Sequence, residues 1–428
     1  MKNKLFDQEF NRSVFKLTIA SLLAQTIIIF STPLLTRIYT PEDFGVLSLY
    51  ISVSGVALAL ATCRLEMAIM LPSNNYEADN IVSICLLIST CVTSVLLFCV
   101  FVFSIFEESI FGSGLFKSWM YWLPITTFFG GAVQAISIWL NRAKEYQLLA
   151  ASKLIQSGSV SFISIVLGFY FYLSGGLIVG FVAGAVLTSM YLIYKAGKSG
   201  LSFSYPFKVR LYCQKYKNLL FYSLPGSLLD NFRLVIINIL IGFYFGNDKI
   251  GFYTLALKFI QLPSVLIGSS LSQVLFEEIS TRKRNNQAIY THVKSYVKRT
   301  FILALLIYIP VYILSEWGFA FVFGSNWKEA GDVAKILIPW VFLSFISSPL
   351  SMIYITMNMQ KSLLFLSFLY FSFPVVVVII FNKSGYFYVL NWVSFGMGVI
   401  AILMILVLLC TIKQYDTKID NSEVAHEI

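Results

Sequence analysis

The chain has 428 residues, of which 58% are hydrophobic and only 12% charged, with a mean hydropathy of +0.79; a soluble domain covers its surface with more polar groups than that, so the composition defines a polytopic membrane protein. The net charge of +10 does not point to nucleic acid, because the basic residues gather in short loops beside apolar runs, where the positive-inside rule puts them. Six cysteines lie mostly inside apolar runs with no CxxC pair, and with two histidines in the chain neither a metal centre nor a disulfide framework is expected.

A helix needs about 20 apolar residues to cross the hydrocarbon. The chain offers twelve such runs, at 14–36, 44–63, 80–105, 117–140, 147–171, 174–194, 218–245, 250–275, 299–323, 333–357, 361–381 and 385–412. Charges of both signs precede the first run and no small-residue cleavage pattern follows it, so it reads as a retained span. With the N-terminus inside, the basic loops 195–217 and 276–299 fall on the cytoplasmic side, as do both termini. Those loops read as topology signals that also touch anionic membrane lipid.

Charges within the spans carry the most information. Lys16 lies in the first, Arg64 and Glu66 at the end of the second, Asp230 and Arg233 in the seventh and Lys258 in the eighth. A charge at bilayer depth costs about 2.5–3.5 kcal/mol, so each needs a partner or a task. Lys16 can snorkel to the interface, and Asp230 can serve as charge partner to Arg233, three residues away on the same helical face. Lys258 has no carboxylate in its own span and must face water, another helix or a ligand. Cations outnumber acids, which favours an anionic ligand. Pro225, Gly226 and Pro263 interrupt the helices beside these charges, and such breaks free backbone groups near a binding site.

Enzyme signals are nearly absent. "GKS" at 197–199 has Leu192 where the first glycine of a phosphate-binding loop belongs. The outer segments near 106–116 and 324–332 are short, and their acids Glu107, Glu108, Glu329 and Asp332 lack metal-ligand spacing. No catalytic residue, metal or cofactor is expected.

An internal repeat organises the chain. "FKLTIASLL" (15–23) aligns with "FYSLPGSLL" (221–229), and at the same shift of 206 "EDFGVLSLY" (42–50) meets "DKIGFYTLA" (248–256). Further on, "FGSGLFKSWMYWLP" (111–124) echoes "FGSNWKEAGDVAKILIP" (323–339). Each copy holds six spans, an even number, so both enter the membrane in the same direction. The expected fold is therefore an all-α integral membrane protein of about twelve transmembrane helices, in two six-helix lobes related by a pseudo-twofold along the membrane normal. The lobes would span 1–207 and 208–412, with 413–428 as a cytoplasmic tail. A polar cleft between lobes suits a carrier working by alternating access.

The segments "PLLTRIYTPEDFGVLSLY" (33–50), "CRLEMAIMLP" (63–72), "WLNRAKEYQLLAASKLIQS" (139–157), "IGFYTLALKFIQLPSVLIGSSLSQVLFEEIS" (250–280) and "FGSNWKEAGDVAKILIPW" (323–340) resemble the bacterial lipid-linked oligosaccharide flippases. These transport O-antigen and capsule repeat units within the superfamily of multidrug and polysaccharide exporters. The resemblance implies a V-shaped, two-lobed bundle in the bacterial cytoplasmic (inner) membrane, moving undecaprenyl-diphosphate-linked oligosaccharide to the outer leaflet. A glycan polymerase of the same pathway is an implied partner. It carries over Arg37, Arg64, Glu66, Arg142 and Lys258 as family-typical positions; Arg233 and Asp230 rest on the charge argument. The expected substrate-binding set is Arg233, Lys258, Arg64, Arg142, Arg37 and Lys16, with Asp230 and Glu66 as coupling groups or charge partners. Two rival readings are a multidrug exporter of the same fold and a membrane glycan polymerase or ligase.

Overall fold

The computed structural model describes the backbone except at residues 1, 73, 107–118, 172–174, 203–208, 218, 286, 358 and 427–428. Side chains are described except at those positions and at 2–17, 103–106, 219, 222, 269–270, 273–274, 277, 284, 355, 360 and 418–426. Among the described residues the fold is helical without strands, and twelve helices are long and apolar enough to cross a membrane, one on each expected run. The chain is a multi-pass membrane protein.

Residues Met1–Asn238 and Ile239–Ile428 form two compact units. In the first, helices α1 (Lys2–Ile38), α2 (Pro41–Thr62), α3 (Asn75–Phe106), α4 (Leu123–Arg142), α5 (Tyr146–Phe171) and α6 (Gly176–Lys198) are followed by a short α7 (Val209–Lys215). A π-helical turn at Leu219–Ser223 then leads into α8 (Leu224–Phe245), within which the division between the units falls. The second unit continues with α9 (Asn247–Ile260), α10 (Leu262–Arg284), α11 (Tyr290–Phe323), α12 (Lys328–Ser347), α13 (Ser351–Thr356), α14 (Gln360–Phe381) and α15 (Tyr386–His426).

The element order repeats. Helices α2 and α9 begin 206 residues apart, at Pro41 and Asn247; α4 and α12, each 20 residues long, begin 205 apart, at Leu123 and Lys328. Several family-like motifs prove to be the devices that start these helices. In "YTPED", Thr40 caps α2: its hydroxyl accepts from the Asp43 amide at 3.3 Å while Asp43 Oδ2 accepts from the Thr40 amide at 2.9 Å, and Pro41 fills the first turn. Tyr39 beside it is buried against Gly168 and Gly176 and donates to the Ser164 carbonyl at 2.7 Å; burial, with Asp43 adding to it, pushes its phenol up to about 12. In "FGSNW", Gly324 takes φ +102°, a conformation that favours glycine, and turns Trp327 into full burial with its ring edge-on to Phe252 at 5.9 Å.

Each unit has its own apolar core. The first gathers Leu65, Ile69, Ile81, Ile136, Leu140 and Leu192; the second gathers Leu275, Ile279, Ile289, Ile353, Tyr354 and Leu408. Helix α15 continues beyond residue 412, the expected start of a tail, and Asp416 accepts from the backbone amides of Ile289 at 2.9 Å and Tyr290 at 2.8 Å. A side chain from the last helix thereby caps the start of α11.

Candidate functional site

Helix α2 ends at Thr62, where Cys63 and then Arg64 adopt left-handed φ angles of 49° and 61°. The chain turns back into a short 3-10 helix, Leu65–Met70, whose Leu65, Ala68 and Ile69 enter the core against α3 and α4. This reversal carries Glu66 inward: its side chain is 6% exposed and lies 3.6 Å from Arg64 Nη1. Glu66 Oε2 and Arg64 Nε are buried without a hydrogen bond among the described residues. A carboxylate so placed lacks the hydrogen-bond partners that both of its oxygens would find in water.

Arg142, expected among the substrate-binding residues, is engaged elsewhere. Its Nη1 donates to the carbonyls of Ile69 at 3.3 Å and Met70 at 3.4 Å, and Nη2 donates to Asn75 Oδ1 at 3.4 Å. The guanidinium thus closes the end of the 3-10 helix, whose last carbonyls have no helical partner. Asp79, which the sequence reading missed, anchors the same region: Oδ1 accepts from Trp139 Nε1 at 2.7 Å and Oδ2 from the Ser202 amide at 3.4 Å. Its signal was an acid placed where an apolar run already begins, in "YEADNIV".

On α8, Asn238 donates to Ser52 of α2 at 2.7 Å, and the Asn231 carboxamide lies so close to Gly55 that an added Cβ would stand 2.6 Å from its oxygen. Asn231 and Asn238, seven residues apart, therefore mark the face of α8 turned to α2. At 100° per residue Arg233 stands about 160° from that face and Asp230 about 100° on the same side. Asp230 is exposed and Arg233 half-buried. Three residues apart, Asp230 and Arg233 stand about 60° from each other around the helix, neighbours on one side of it.

Lys258 sits in the last turn of α9, three residues before the break at Gln261, where Pro263 opens α10. Phe252, Ala256 and Ile260 bury the opposite side of the helix, and the Lys258 side chain is exposed. Arg37, also exposed, ends α1, whereas Arg64 follows α2. Twenty-two residues of helix, about 33 Å, lie between those two arginines, so one diphosphate cannot touch both at once. The Lys16 side chain, Glu107 and Glu108 lie outside the described residues. Glu329 pairs with Lys249, which also approaches Asp248 at 3.6 Å. Among the described residues no cluster of His, Cys, Asp and Glu is arranged to hold a metal ion.

Solved structures share this architecture. The lipid II flippase MurJ in an inward closed conformation superposes with a TM-score of 0.75 at 17% identity, covering 96% of this chain and 90% of that one. A MATE transporter in complex with MaD3S gives 0.61 at 15% identity, covering 95% and 97%. A MOP superfamily transporter from Pyrococcus furiosus, whose binding pocket is described as having reversed polarity, gives 0.57 at 14% identity, covering 95% and 96%. No curated protein sequence matches the chain. The fold is that of these solved structures. Residues 34–332, more than half of the chain, match the family model of the polysaccharide biosynthesis proteins, and the chain belongs to that family.

Proposed function

We propose that the chain is a non-enzymatic flippase of the bacterial cytoplasmic membrane, with both termini in the cytoplasm. By alternating access it would carry undecaprenyl-diphosphate-linked oligosaccharide from the cytoplasmic to the outer leaflet for O-antigen, capsule or exopolysaccharide synthesis. The observation that carries this reading is Lys258: a lysine within an apolar span of a polysaccharide-biosynthesis protein is exposed rather than packed into the core, where an anionic head group can meet it. Arg233 supports it, turned about 160° away from the face of α8 that packs on α2. Charge-assisted contacts to phosphate strengthen where water is excluded, so each cation lowers the cost of moving the diphosphate through low dielectric. Glu66 is the group for coupling, and Asp230 tunes the field around Arg233.

Cells lacking the protein should accumulate lipid-linked repeat units facing the cytoplasm. Unchanged surface glycan together with heightened dye sensitivity would favour a multidrug exporter, and longer or transferred glycan made by purified protein in vesicles would favour a polymerase or ligase. In the intact protein, Arg233→Gln and Lys258→Gln should each abolish flipping at normal abundance, Arg233→Lys should retain more activity than Arg233→Gln, and Asp230→Asn should do the least harm. Normal glycan display from a stable double Gln variant would remove both residues from the site.

A further inference from the structure

Helices α10 and α11 follow one another closely but pack mainly on different neighbours: α10 on the 348–350 turn and α13, α11 on α12 and α15, with α12 touching both. The hairpin is splayed and encloses a cavity of about 590 Å3, within the roughly 300–1,000 Å3 range of small-molecule sites. Ile267, Leu271, Leu275 and Leu303 form its apolar wall; Glu278, His292 and Ser295 stand toward the other end, with Arg299 between, one helical turn from Leu303. From Ile267 to Glu278 on α10, and from Leu303 back to His292 on α11, the lining passes from aliphatic to charged over about 16 Å of helix.

The charges there are uneven. Glu278 is engaged by Arg282 at 3.3 Å and by His292 Nδ1 at 3.0 Å. Arg299 is exposed and enters none of the ion pairs among the described residues. An incoming phosphate therefore meets an uncommitted guanidinium and the Ser295 hydroxyl, beside a carboxylate already taken up. The cavity also lies where the apolar part of the eighth span ends, at Gly268, which is the level of lipid head groups.

We propose that this cavity binds one anionic phospholipid of the cytoplasmic leaflet, its acyl chain along the leucine wall and its phosphate on Arg299. A planar guanidinium suits a phosphate, and aliphatic walls reject a free hydrophilic anion. Native mass spectrometry of the full-length protein in neutral detergent tests this, with dioleoylphosphatidylglycerol, dioleoylphosphatidylcholine and inorganic pyrophosphate as probes. Phosphatidylglycerol should bind about tenfold more tightly than phosphatidylcholine, and Arg299→Gln should remove about that preference. Leu271→Trp, which fills the wall, should weaken phosphatidylglycerol and leave any pyrophosphate binding unchanged; should that variant fail to fold, Leu303→Phe narrows the same wall. Equal binding of the two lipids, pyrophosphate binding as tight as phosphatidylglycerol, or an adduct indifferent to both Arg299→Gln and the wall substitution would overturn the proposal. The readout is binding alone, so its failure leaves the transport reading standing.

Discussion

The two repeats treat the residues after their second span in opposite ways. At 63–70 the chain leaves α2 through two left-handed residues and folds into a 3-10 turn whose apolar side chains complete a core. At 269–276, the positions 206 further on, α10 runs on as helix to Arg284 and a cavity opens beside it. The first arrangement engages Arg142 on two carbonyls and Asp79 on Trp139. The second keeps Arg299 available. Equivalent positions of the two repeats thus form a sealed corner in one unit and an open one in the other.

The largest expected break in this comparison is Asp79→Ala. It strands the buried Trp139 N–H and the Ser202 amide, and should lower unfolding stability by about 3 kcal/mol. Glu278→Gln in the open hairpin, whose pairs are exposed, should change it by less than about 0.5 kcal/mol. Thermal unfolding in detergent checks both. Next comes Gly55→Leu, whose side chain must displace Asn231 from α2 at a cost of about 1–3 kcal/mol on the same measurement. A smaller pair of effects should have opposite signs: Cys63→Gly relieves a left-handed residue and stabilises by about 0.5–1 kcal/mol, whereas Ser269→Gly in helical α10 destabilises by about 0.5 kcal/mol.

The smallest effect is on thiol chemistry in the sealed corner. Burial first, and then Cys213 and Glu66, raise the Cys63 thiol, and burial raises Cys213. A folded-state pKa above the unfolded one favours the folded, protonated form below the unfolded pKa, and that stabilisation is lost as pH rises through the folded value. Alkylation of Cys63 and Cys213 followed against pH should therefore set in at higher pH in the folded protein than in denaturant.

Spans were legible because twenty-residue apolar runs have few alternatives to membrane helices, and the repeat was legible because its helix starts keep nearly constant spacing. The motif around Thr40 could be recognised, but its work as a capping box needed only local residues and said nothing of a ligand. Arg142 and Asp79 were the harder cases. Their partners lie 60 to 123 residues away in the chain, so a sequence window sees an arginine at a span end and an acid near a span start, and cannot tell a clamp from a binding group. Asp230 and Arg233 were legible as neighbours on one side of a helix, because their spacing alone dictates it.

The cap that Asp416 supplies to α11 also sets an order of events during synthesis. The amides of Ile289 and Tyr290 precede their acceptor by 127 and 126 residues, so at about 5–20 residues per second the ribosome leaves them without it for roughly 6–25 s. Through that interval the ninth span has entered the bilayer with its starting turn unfinished. A nascent chain released before residue 416 never acquires that cap, and its ninth span keeps an unfinished starting turn.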